Sequence, residues 1–163
     1  MPFKSANQNY LYEHQYSDWL KLQVRLLKTG RAVEADVDHI AQELEDIGSE
    51  AEAKLSSLIR QAMVNLCKIE FARDQTRADQ WMVEIANFRA EIEDRILNRF
   101  SNDEDLVSIY DRSWKTARSI LMHALTREEL KHIPKECPYA MGQIRDEQYF
   151  PVPHSKQSSD SRN

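Results

Sequence analysis

Val37, Ile40, Leu44, Ile47, Ala51, Leu55, Leu58, Ala62, Leu66 and Ile69 recur at intervals of three and four residues, with no proline between them. This spacing puts side chains on one face of an α-helix, so it predicts a single apolar stripe on a helix from about Asp36 to Phe71. At 1.5 Å per residue such a helix spans roughly 54 Å. A stripe that long needs other helices to cover it, which makes the chain an all-α bundle. Gly48 is the one interior position where the helix would break. An isolated glycine costs only about 1 kcal/mol relative to alanine, and the stripe keeps its phase across it. The expectation is therefore one continuous helix, bent at Gly48 if anywhere. Charge agrees: Asp36 to Ala53 carries seven acidic residues and no lysine or arginine, whereas Lys54 to Arg77 carries five basic and two acidic ones. Negative at the start and positive at the end complements one helix dipole.

The rest of the chain supplies the cover. Tyr12, Tyr16, Trp19, Leu20, Leu26 and Leu27 are helically spaced and predict a first helix that starts near Asn7 to Tyr10 and ends at Gly30, a residue suited to the left-handed position after a helix. Asp36 or Asp38 caps the long helix. After a polar joint at Asp74 to Arg77, a third helix carries Trp81, Ile85, Phe88, Ile92 and Ile96. Ser101-Asn102-Asp103 ends it and caps a fourth, which carries Leu106, Ile109, Tyr110, Ala117, Ile120, Leu121 and Leu125 with Trp114 on its flank. Thr126 followed by Glu129 has capping-box spacing and predicts a turn of helix over Arg127 to His132. Pro138 suits the first position of a last short helix reaching about Glu147. The expected organisation is one helical domain over residues 1–150 and a polar, serine-rich, disordered tail over 151–163.

Composition limits the function classes. The 163 residues suffice for one core without staples, and three glycines and five prolines leave few breakers. A formal net charge of −5 gives no global attraction to nucleic acid or anionic membrane. No apolar run is long enough for a membrane span, and Cys67 and Cys137 make no Cys-x-x-Cys pair or disulfide framework, so the expected home is the cytoplasm.

Several segments together resemble the bacterial family catalogued as domain of unknown function 29, over Tyr12 to Pro151. They are Tyr12 with Trp19-Leu20 and Leu26-Leu27; Glu43-Leu44-Glu45 leading to Gly48-Ser49-Glu50; Leu66-Cys67-Lys68; Trp81 with Ile85 and Arg89; Trp114 with Ala117-Arg118; and Pro134-Lys135-Glu136-Cys137-Pro138-Tyr139, the most specific string. The chain departs from that family's pattern at Asn65, where a histidine is usual, at Ile69 in place of an aromatic residue, at Trp114 in place of a tyrosine, and at Ser101 to Leu106 in place of a Ser-Pro-Ser-Leu bend. The resemblance implies a helical fold and supplies no activity, cofactor or catalytic residue.

Three groups of residues are weighed as sites. Asp36, His39, Glu43, Asp46 and Glu50 share an edge of the long helix, and His39 and Glu43, one turn apart, are of the types that ligate zinc, iron or manganese. Bundle dimetal sites use Glu-x-x-His pairs from facing helices, and Glu129 to His132 is the one such pair here. The stronger structural account pairs these acids with Lys21, Arg25 and Lys28 across a helical hairpin. Cys137, just before a helix start and near Lys135, is a candidate thiolate, although packing of Cys137 and Tyr139 against the bundle is the plainer account. The basic stretch Arg60, Lys68, Arg73 and Arg77, with Trp81, Arg89, Arg95 and Arg99, offers charge and stacking to RNA, but acidic residues interleave and Trp81 suits the core. No catalytic or cofactor-binding motif occurs, so no cofactor is expected and an enzyme is the less favoured class. A metal- or thiol-dependent enzyme and an RNA-associated regulator stand as the alternatives. The reading preferred is a protein-interaction module, including self-association into a homo-oligomer, with Leu55, Leu58, Ile59 and Met63 as the packing residues of the long helix. Membrane is not among the expected partners, and neither is nucleic acid. No small-molecule ligand is indicated.

Overall fold

The computed structural model describes residues 2–93, 100 and 103–155. Among them the fold is all-α: helices α1 (Pro2–His14), α2 (Tyr16–Lys28), α3 (Val37–Phe71), α4 (Ala78–Glu91), α5 (Asp103–Ala124), α6 (Arg127–Leu130) and α7 (Met141–Arg145), with a 3-10 turn at Ala32–Glu34. The predicted long helix is present and passes unbroken through Gly48. The chain forms two compact units, residues 1–50 and 51–163, and α3 runs through the division.

In the first unit the predicted single N-terminal helix is two helices. The break falls at Gln15 (φ −138°, ψ 52°), where no proline or glycine signals it. Gln8 and Gln23 side chains meet at 3.4 Å, although fifteen residues of straight helix would hold them about 22 Å apart, so α1 folds back on α2. Folding back lets Tyr12 of α1 cover Trp19 of α2, edge to face at 4.9 Å between ring centres, and Trp19 is 1% exposed. The end of α2 is as expected. Gly30 takes φ +74°, its amide donates to the Leu27 carbonyl and the Arg31 amide to that of Leu26, the paired bonds of a Schellman cap.

In the second unit the core is built on the latter half of α3. Leu55, Ile59, Ala62, Met63 and Leu66 have no exposed surface and pack with Trp81 and Ile85 of α4, Ile92, and Ile109, Trp114, Ala117 and Leu121 of α5. Trp114, expected on a flank, is buried and donates from Nε1 to the Lys135 carbonyl. Small residues bring α5 close to α3: the Ser113 hydroxyl lies 2.9 Å from that of Ser56. Ile96, Ser101 and Asn102, expected in the third helix and the following cap, lie outside the described residues, as do residues 156–163 of the predicted tail; of its described part, Pro151 is buried and His154 and Ser155 are helical, not disordered.

The capping box is formed. Glu129 accepts from the Thr126 amide at 2.7 Å, and the Thr126 hydroxyl accepts from the Glu129 amide. The other Glu129 oxygen accepts from the Arg73 amide just beyond α3, so one carboxylate joins two helix ends. The last short helix, by contrast, starts at Met141 and not at Pro138. Tyr139 explains the difference, because its ring is drawn into the core, its hydroxyl donates to Glu70 at 2.6 Å and its carbonyl accepts from the Tyr110 hydroxyl. These bonds hold the segment before α7 out of a helix.

Two tests follow from the fold. A Cβ built on Gly48 meets nothing within 4 Å. Gly48→Ala is therefore expected to stabilise the chain by about 0.5–1 kcal/mol, read as a higher melting temperature. Burial opposes the charge on Glu129, but the amides of Arg73 and Thr126 outweigh it and hold its carboxyl below the usual range. A carboxyl lowered in the native state stabilises fully above its unfolded pKa and loses that contribution as pH falls through its native value. Glu129→Gln should cost about 1–2 kcal/mol at pH 7 in denaturant titration, with the two proteins converging in acid.

Candidate functional site

The acidic edge of α3 meets aromatic residues, not the lysines and arginine expected of it. Glu43 accepts from the Tyr12 hydroxyl at 2.8 Å on one oxygen and from the Tyr16 hydroxyl at 2.7 Å on the other. Asp36 accepts from Trp19 Nε1 at 3.1 Å and lies 2.8 Å from His39 Nδ1 on the same oxygen, while its amide donates to Gln23. The His39 ring stacks on Tyr12 at 4.0 Å. These contacts run antiparallel: Tyr16 is level with Glu43, and Gln23 with Asp36. The predicted pairs of Lys28 with Asp36, Arg25 with His39 and Lys21 with Glu43 or Asp46 are not formed among the described residues, and Lys21 instead lies 3.9 Å from Asp18. Hydroxyl and indole donors satisfy the carboxylates at the packed edge and leave the long cationic side chains in water, where an ion pair gains little.

The hydroxyl bonds of Tyr16 and then Tyr12 lower the Glu43 carboxyl, helped by His39 against a smaller cost of burial. Its bond to Glu43 in turn pushes the Tyr12 phenol up to about 12. Removing the hydroxyl in Tyr16→Phe is expected to raise the Glu43 carboxyl toward its ordinary value, measurable by carbon-13 NMR titration.

As to metal, both Glu43 oxygens are occupied by hydroxyls, and among the described residues no three or more His, Cys, Asp or Glu side chains form a group that could hold an ion. Glu129 is engaged in the cap, and His132 lies against His154 with 4.5 Å between ring centres.

Cys137 does not stand at a helix start, and burial pushes its thiol up, the reverse of what an activated thiolate needs. Cys67 is fully buried and its thiol is raised by the same cause. The basic stretch is divided by the fold. Arg89, 1% exposed, reaches the carbonyls of Ile144 (2.7 Å), Gln143 (3.0 Å) and Tyr149 (2.9 Å) and stacks on Phe150. Trp81 is buried, with the Lys68 ammonium 5.8 Å from its ring centre. Arg95 and Arg99 lie outside the described residues.

What the first unit leaves open is apolar. On α3 the stripe that is core from Leu55 onward is largely uncovered before it: Val37 is 63% exposed, Leu44 63% and Ile47 57%, with Ile40 and Ala51 half-buried. On α2, Leu20 and Leu27, expected to pack inward, and Val24 beside them are 42–50% exposed. At about 100° per residue, each of these two stripes lies roughly a quarter turn from the line where α2 meets α3. Because the helices are antiparallel, both quarter turns lead to the same side, and the stripes form one two-helix face. Sequence periodicity located both stripes but gave no means of telling a covered one from an open one.

A family model described as domain of unknown function DUF29 matches residues 11–150, in agreement with the resemblance read over Tyr12 to Pro151. No curated protein and no solved structure matches the chain. Among the described residues no helix is long and apolar enough to cross a membrane.

Proposed function

We propose that this chain, which belongs to the DUF29 family, is a protein-interaction module that acts in the bacterial cytoplasm through the open α2–α3 face. The observation that carries this reading is the change of cover along α3. One stripe, in one phase, is buried at Leu55, Leu58 and Ala62 and is more than half exposed at Val37, Leu44 and Ile47. Scattered exposed apolar residues are ordinary on any protein, but six that line two adjacent helices form the kind of patch that binding sites use. Placement in a reducing compartment is supported by the two free thiols, Cys67 and Cys137.

The reading separates two substitutions of the same chemistry. Leu58→Asp puts a carboxylate into the core and should destabilise by about 3–5 kcal/mol in denaturant titration. Leu44→Asp changes an exposed position and should alter stability by no more than about 0.5 kcal/mol. A photo-crosslinking residue at position 44 should give a discrete protein adduct in cells, and Leu20→Asp should abolish it. Adducts no different from those obtained at the exposed Lys115 would overturn the proposal.

A further inference from the structure

The open face is also polarised in charge, and this selects an occupant. On α2 the edge of the stripe remote from α3 carries Lys21 and Lys28; on α3 the edge remote from α2 carries Asp38 and Glu45. Lys21 is 77% exposed, held only by the long contact to Asp18, and Asp38 and Lys28 make no ion pair among the described residues. One edge of the face is therefore basic and the other acidic, with the apolar residues between them. Such a surface complements itself.

We infer that the occupant of this face is a second copy of the same chain, docked about a two-fold axis parallel to the helices so that α2 of each copy lies on α3 of the other. This rests on the interaction reading above and names its partner. A two-fold axis in the plane of the face can run in two ways. Across the helices, it places α2 on α2 and α3 on α3, setting lysine against lysine and carboxylate against carboxylate. Along the helices, it places α2 on the partner copy's α3, with basic edge against acidic edge and every neighbouring pair of helices antiparallel. The interface is isologous and closes as a dimer. Level is preserved by such an axis. Trp19 meets His39 and Tyr16 meets Glu43 within one copy, so Lys21 stands level with Asp38 and faces the Asp38 of the other copy. Like charges opposed across an interface suppress the wrong arrangement, and opposite charges fix the right one.

The test is a charge swap on the full chain, followed by sedimentation velocity across a concentration series. The wild type, 19.1 kDa per chain, should sediment at twice that mass. Lys21→Glu and Asp38→Lys should each weaken the dimer at least tenfold and reverse its salt response, so that low salt weakens the variant dimer where it strengthens the wild type. The double variant Lys21→Glu/Asp38→Lys should recover most of the loss. Both substituted positions are exposed, so circular dichroism should give the wild-type spectrum and melting curve in all three variants. A dimer whose affinity falls additively in the double variant would overturn the arrangement. A monomer at every concentration would overturn the self-docking itself. In that second case, crosslinked adducts of a different protein at position 44 would leave the interaction reading standing, and their absence would remove both.

Discussion

The organisation of this chain depends on the phase of one apolar stripe. From Val37 to Ile69 the spacing never slips, so a single helix presents one face along its whole length. A slip of one residue near Gly48 would have rotated the first half of the stripe by about 100° and separated the two halves into unrelated surfaces. The glycine is tolerated because a helix interior asks nothing of it beyond ordinary helical angles, and its cost is small beside the burial of Leu55, Ile59, Met63 and Leu66.

The two units satisfy their polar groups in different ways, and this accounts for their different faces. In the first, α1 and α2 meet α3 through its acidic edge: tyrosine hydroxyls on Glu43, the Trp19 indole on Asp36, and Gln23 on the Asp36 amide. Contacts made at that edge cannot also cover the apolar stripe, which lies about a quarter turn away. In the second unit α4 and α5 pack on the stripe itself, and polar side chains there bond at separate points, Ser113 to Ser56 between α5 and α3 and Glu129, Glu70 and Arg89 to the segments that follow α5 and to the end of α3.

Much of this was legible in the sequence because period and capping are local properties. The long helix, the Gly30 cap, the Thr126–Glu129 box and the buried positions at Leu58, Trp81 and Tyr139 all follow from residues within a few places of one another. The break at Gln15 was not legible. Nothing at Gln15 disfavours helix, and the turn there is set by Tyr12 and Gln8 finding partners on α2 and α3. The same limit applies to Glu43, whose partners were sought among cations because charge is what a sequence displays; a tyrosine hydroxyl four residues from another reads only as a core aromatic. It applies again to Arg89, which read as part of a basic stretch and is a buried donor to backbone carbonyls. Leu20 and Leu27 read as core for a related reason, since an amphipathic helix looks the same whether its apolar side meets its own chain or another.

The Arg89 guanidinium bears on how the second unit is assembled during synthesis. Its acceptors are the carbonyls of Gln143, Ile144 and Tyr149, more than fifty residues further along the chain. A buried cation without its acceptors is far costlier than one in water. A nascent chain that has emerged only as far as α5 thus has every large apolar group of α3 and α4 available, but no means of closing over Arg89. The segment from Gln143 to Phe150 acts as a latch rather than a trailing appendage, because the second unit closes over Arg89 only with these carbonyls in place.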